Sequence, residues 1–233
     1  MDLPGPLRGL FRDRSAAPAA ASQGLARPAA SAPSKHPRTE TVITRPSRGL
    51  EEFFAYIRDQ SGLTLLDLGG ATQQNISFIT GLGHRLYSEN FLQMLHETFP
   101  GEDASEQTDP RRIESFLQTT LDYQEAQFDG VLIWDVLEHL APPLLAAVVE
   151  RLRRIVRLNT YSLAFFHAEE RAQSVPMYTF RVQDIRTIEV SAYGSRRPPQ
   201  LYNNRGLEKM FGSFASVKFF LARDRLREVV VKA

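Results

Sequence analysis

From about residue 49 onward two hydrophobic periods alternate along the chain. In "LEEFFAYIRDQSG", residues 50–62, Phe53, Phe54 and Ile57 recur at helical spacing and the pattern stops at Gly62. The run 63–68, "LTLLDL", reads as a buried strand, and 71–80 as a helix with Ile76, Ile79 and Leu82 on its inner face, closed by Gly81 and Gly83. "HRLYS" predicts a short strand and "ENFLQMLHETF" a helix; after the polar loop "GEDASEQTDP", Pro110 suits the first turn of the next helix. The segment 111–127 mixes helical and strand signals. "GVLIW", residues 130–134, is an apolar run that ends at an acid, Asp135, as the first strand ends at Asp67. A long amphipathic helix follows over 142–157, with Leu144, Leu145, Val148, Val149, Leu152 and Ile155 at helical intervals, and "YSLAFFH" is another buried strand. "MYTFRV" and "RTIEVSAY" alternate like a two-stranded hairpin, and "FASVKFFLARDRLREVVVKA" reads as two strands about a charged turn.

Strands alternating with helices predict a layered α/β domain, a doubly wound and mostly parallel sheet whose strand C-termini share one edge. Ligands bind at that edge, and both Asp67 and Asp135 fall on it. The glycines after Asp67 expose bare backbone at a helix N-terminus. Residues 1–48 have another character: "SAAPAAASQGLARPAASAPSKHPR" holds hardly a large apolar side chain and is expected to be a disordered tail. Leu7, Leu10 and Phe11 could share a face of a short helical turn, and a targeting role is the sharper reading of the tail. The expected organisation is therefore a tail over 1–48 and one domain over 49–233, with an inserted hairpin at about 175–195.

Charge changes this picture in one respect. The formal net charge is only +1, yet eight Lys or Arg stand against three acids up to Arg48, which leaves 20 basic and 24 acidic residues in the remainder. A slightly acidic body does not suit a nucleic-acid enzyme, which needs a basic face on its folded part. No window approaches the roughly 18 apolar residues of a membrane span. The sequence has no cysteine, which excludes disulfides, thiolate nucleophiles and Cys-based metal sites. Without an apolar secretory segment either, the expected location is cytoplasmic. The five histidines show no metal-ligand spacing, and neither a G-x-S-x-G elbow nor a P-loop occurs.

"LTLLDLGGATQQN" and, some sixty residues later, "FDGVLIWDVLEHL" together resemble class I S-adenosylmethionine-dependent methyltransferases, over roughly 49–233. The terminal strand pair is similar to that family's reversed last hairpin. The resemblance implies S-adenosylmethionine as cofactor, with its methionine portion against Asp67, Leu68, Gly69, Gly70 and Ala71. It implies ribose binding by Glu89, with Asn90 as the neighbour that shares the role, adenine contact near Leu121 and Asp122, and a methyl-transfer pocket bordered by Trp134 and Asp135. Ala71 and Gln73 stand where the family's pattern has further glycines, and "RLNT" replaces its usual Pro-Gly-Gly, with Asn159 able to turn left-handed. Each residue has a plainer reading beside this one: Asp67 as a cap of the turn, Glu89 as a cap of the helix after it, Trp134 as core and His139 as a solvated helix-start residue.

The implied reaction is methyl transfer to a small-molecule acceptor held in line with the cofactor's activated methyl. An alcohol or amine acceptor would need a base, for which Asp135, Glu138 and His139 are the candidates. The hairpin, with Tyr178, Arg181 and Tyr193, is expected to overhang the ligand edge and meet an acidic or aromatic acceptor. Two other readings stay open: a binding or scaffold protein that keeps the sheet without turnover, and a nicotinamide dehydrogenase, which the terminal hairpin disfavours.

Overall fold

Ser47 begins the first helix by accepting a hydrogen bond from Leu50 N at 3.1 Å, and α1, Arg48–Ile57, then buries Leu50, Phe53, Phe54 and Ile57 on one face. This computed structural model describes residues 42–101, 104–169, 171–221 and 225–233. The expected tail up to residue 41, with Leu7, Leu10 and Phe11, lies outside them. Residues 42–48 do not belong to that tail: β1, Val42–Pro46, precedes α1 and pairs antiparallel with β7, described below.

The chain continues through β2 (Thr64–Asp67), α2 (Gln73–Gly81), β3 (Arg85–Ser88), α3 (Phe91–Thr98) and α4 (Pro110–Thr120). Next come β4 (Phe128–Trp134), a 3-10 turn over Val136–His139, α5 (Pro142–Ile155) and β5 (Val156–His167). The hairpin is β6 (Val175–Asp184) and β7 (Thr187–Arg196), and α6 (Asn204–Met210), β8 (Ser216–Leu221) and β9 (Leu226–Lys232) close the fold. Side-chain oxygens of Thr72, Asn90, Asp109 and Asn203 cap α2, α3, α4 and α6.

Six strands form the main sheet in the order β3-β2-β4-β5-β9-β8. β3, β2, β4 and β5 run parallel, and the last hairpin inserts β9 antiparallel between β5 and β8. This is the doubly wound sheet with a reversed C-terminal hairpin that the sequence predicts, the arrangement of a class I methyltransferase fold. β1, β7 and β6 make a separate three-stranded sheet. Alternation along the central strands fills two cores. Val131, Ile133, Ala164 and Phe166 join the core covered by α3 to α6, whereas Leu132, Trp134, Leu163 and Phe165 join the core covered by α1, α2 and the three-stranded sheet.

Three local expectations change. The ambiguous segment 111–127 resolves into α4 followed by irregular chain, with no strand before β4. On α2 the buried turn is held by Ile79 and Asn75, 0% and 1% exposed, while Ile76 is 37% exposed, because Asn75 is hydrogen-bonded beneath the hairpin. β5 starts earlier than "YSLAFFH", with Asn159 left-handed at φ 64° as its side chain permits. No helix among the described residues is long and apolar enough to cross a membrane.

Candidate active site

β2 delivers Asp67 to the sheet edge fully buried, so its carboxylate needs internal donors. It has three: Gly69 N and Trp134 Nε1, each 2.8 Å from Oδ1, and Asn75 Nδ2, 3.3 Å from Oδ2. Burial pushes its pKa above the ordinary carboxylate range, and these donors, Trp134 foremost, pull against that shift. The glycines are fixed by packing. A Cβ on Gly69 would sit 2.6 Å from Trp134 Cδ1; Gly70 has φ +70°, and its Cβ would meet Asn90 at 3.2 Å. The turn's amides are satisfied internally, Gly69 N by Asp67, Gly70 N by Glu89 O at 2.9 Å and Ala71 N by Ser88 Oγ at 2.7 Å.

β4 ends on Trp134 at φ 57°, an uncommon backbone for a bulky side chain. Its ring lies parallel to Phe180 of the hairpin, centroids 5.0 Å apart at 6°, and near Phe165 of β5 at 5.9 Å. Trp134 is therefore both core and pocket wall. Asp135 follows, 2% exposed, accepting a hydrogen bond from Tyr178 N at 3.2 Å. Burial pushes its pKa up to about 7, with nearby Glu138 adding to the rise and the Tyr178 amide and His167 opposing it. Such a carboxylate is close to half ionised near neutral pH, the condition for taking a proton.

Behind Asp135 lies a buried pair that sequence reading left unpaired. Glu138 Oε1 accepts from His167 N, and Oε2 lies 2.6 Å from His167 Nδ1. His167 Nε2 has no partner among the described residues, and the ring stacks on Tyr178 at 5.7 Å. Its place at the C-terminal end of a parallel strand was the signal that could have found it. His139 is fully buried instead of solvated, and neither ring nitrogen has a partner among the described residues. Burial, with Arg196 and His167 nearby, pulls its pKa down to about 3 and keeps it neutral.

A cavity of about 670 Å³ opens where the sheet edge meets the hairpin. Of the residues named from sequence, Asp67, Leu68, Gly69, Gly70, Asn90, Trp134 and Asp135 line it, and from the hairpin Tyr178 and Tyr193 do. Ala71, Glu89, Leu121, Asp122, His139 and Arg181 are not among its walls. Glu89 accepts a hydrogen bond from the Tyr123 hydroxyl. Leu121 is buried in the core covered by α3 to α6 and Asp122 is exposed, since no strand carries that segment to the edge. Arg181 donates to Glu189 at 3.1 Å and to Ser191 at 3.0 Å within the hairpin. Sequence reading missed Asn75 and Ser195 and did not single out Arg196 among the hairpin's cations; all three border the cavity.

S-adenosylmethionine fits these walls at its reactive end. The cavity has room for it, the backbone of Gly69 and Gly70 borders it, and the carboxylates of Asp67 and Asp135 on its wall suit a cationic centre. No three His, Asp or Glu side chains among the described residues are grouped to hold a metal ion.

No family model matches the sequence, and no curated protein is similar enough to count as a match. Among solved structures, the chain is similar to the 1,6-didemethyltoxoflavin-N1-methyltransferase of Burkholderia thailandensis, solved with 1,6-didemethyltoxoflavin and S-adenosylhomocysteine. That likeness has 12% identity, covers 79% of this chain and 76% of that one, and has a TM-score of 0.43. A methyltransferase of Methanosarcina mazei matches at 9% identity, over 77% of this chain and 96% of its own, with a TM-score of 0.44. One from Aquifex aeolicus matches at 14% identity, over 78% and 88%, with a TM-score of 0.42.

Proposed function

We propose that the chain binds S-adenosylmethionine in the cavity between the sheet edge and the hairpin and methylates a small molecule there. The observation that carries this reading is the convergence, around about 670 Å³, of a glycine turn, a carboxylate poised near neutrality and an aromatic wall. Gly69, Gly70 and Asn90 would hold the cofactor, which supplies an activated methyl group when bound. The chain's own residues do the rest. Tyr178 and Phe180 form a wall that excludes water and orients the acceptor. Asp135 Oδ2, steadied by the Tyr178 amide, receives the acceptor's proton if that atom is an alcohol or amine.

A second reading, binding without turnover, has its own support: Glu89 is engaged by Tyr123 and the three turn amides are already satisfied. Isothermal titration with S-adenosylmethionine and S-adenosylhomocysteine tests both. Micromolar binding of each is the expected result, followed by label transfer in a screen of small phenols, carboxylates and amines. Binding without transfer to any acceptor favours the second reading, and no binding removes both.

A further inference from the structure

Arg196 closes β7 at the rim of the cavity, opposite Val175 of β6. It is half-buried, and no described residue accepts a hydrogen bond or an ion pair from its guanidinium. A guanidinium withdrawn from water without an acceptor has lost hydration that nothing on the protein returns. Burial pulls its pKa below the ordinary arginine value, and a guanidinium keeps its charge in a protein, so the cation stays. The cation nearest in sequence role, Arg181, differs in this respect, because Glu189 and Ser191 occupy it.

The remaining groups around Arg196 do not neutralise it. Asp67 is held by Gly69, Trp134 and Asn75, burial raises its pKa, and it makes no ion pair with Arg196. Asp135 binds the Tyr178 amide and is only partly ionised near pH 7. His139, close to Arg196, is neutral. Hydroxyl donors of Tyr193 and Ser195 line the same wall. One uncompensated cation with two hydroxyl donors, beside an aromatic face, matches a single carboxylate. A phosphate dianion would leave an excess negative charge next to Asp135.

We propose that Arg196 is the anchor for a carboxylate, so that the molecule accepted in this cavity is a small organic acid whose apolar part lies against Trp134, Tyr178 and Phe180. As a statement about the methyl acceptor this rests on the function proposed above; as a statement about binding it does not.

Trp134 is the single tryptophan of the sequence and a wall of the cavity, so its fluorescence reports occupancy. The probes are cyclohexanecarboxylate and cyclohexanecarboxamide, equal in shape and different in charge, titrated at pH 7 and low ionic strength. A charge-assisted hydrogen bond predicts that the acid binds about tenfold or more tighter than the amide. Arg196→Gln should bring the two within about twofold, and Arg196→Lys should restore part of the preference. Equal affinities in the unaltered protein, no saturable quenching by either probe, or an undiminished preference in a folded Arg196→Gln chain each overturns the proposal. S-adenosylhomocysteine titrated into the same unaltered protein keeps the two readings apart. A preference for the acid without S-adenosylhomocysteine binding removes methyl transfer and leaves the acid site, and the reverse removes only the acid site.

Discussion

Asp135 shows how much one buried carboxyl does to the behaviour of this chain. Unfolded, it titrates near the ordinary 3.8, whereas in the fold burial holds its proton up to about 7. Between those two values the native chain binds more proton than the unfolded one, so the contribution of Asp135 is fully favourable below about pH 4. It is lost as pH rises to about 7. Asp135→Asn cannot ionise and still offers an oxygen to the Tyr178 amide. Its stability relative to the unaltered protein should therefore grow by about 2–3 kcal/mol between pH 5 and pH 8. Urea titrations of both chains at the two pH values measure this. An identical difference at both would mean that Asp135 is already ionised at pH 5.

At the scale of elements, β1 shows why the tail's boundary was misplaced. "VITRP" is too short and too exposed to announce a strand, and its partner β7 lies some 140 residues away. What anchors it is charge: Arg45 Nη2 lies 2.8 Å from Glu228 Oε1 on β9, and Ser47 Oγ and Gly49 N bind the other oxygen. Glu228 is 2% exposed, so removing Arg45 and Ser47 costs the buried carboxylate its ion pair and a hydroxyl donor and leaves it Gly49 N alone. A chain that starts after Arg48 should be less stable than one that starts after Thr41 by at least about 3 kcal/mol. Chemical denaturation of the two shortened proteins tests this, and equal midpoints would reduce β1 to an ornament of the sheet edge.

For the molecule as a whole, one side-chain amide on α2 bonds to both sheets at once. Asn75 Nδ2 donates to Asp67 at 3.3 Å and to Phe180 O at 3.1 Å, and its Oδ1 accepts from Val182 N at 2.8 Å. Asn75 thus fixes the hairpin against the glycine turn, with the Phe165–Trp134–Phe180 stack beside it. Asn75→Ala leaves buried backbone groups of β6 without partners and should cost about 2–4 kcal/mol. It should also change the emission of Trp134, because the cavity wall it belongs to loosens. Equilibrium unfolding with fluorescence detection reads both effects. Loss of stability without a change in emission would place the damage in α2 alone.

The sequence by itself determined most of the elements from α1 onward, the two acids at strand ends and the two closing strands, whose reversal only the family resemblance implied. Those follow from local periodicity and chain-end chemistry, which "LLDLGG" and "GVLIWD" carry within a few residues. The hairpin itself was legible, since its alternation is local too; of the three side chains expected to overhang the ligand edge, Tyr178 and Tyr193 border the cavity and Arg181 does not. Only the tertiary structure decided what each polar group touches. Glu89 turned to Tyr123, His139 sank into the core, and Arg181 found Glu189, whereas Arg196 stayed unpaired at the rim. His167, Asn75 and Glu228 gained their roles from partners 29, 105 and 183 positions distant. Desolvation decides these choices, because a buried charge takes whichever partner packing brings within about 3 Å, and packing is settled by contacts no local window contains.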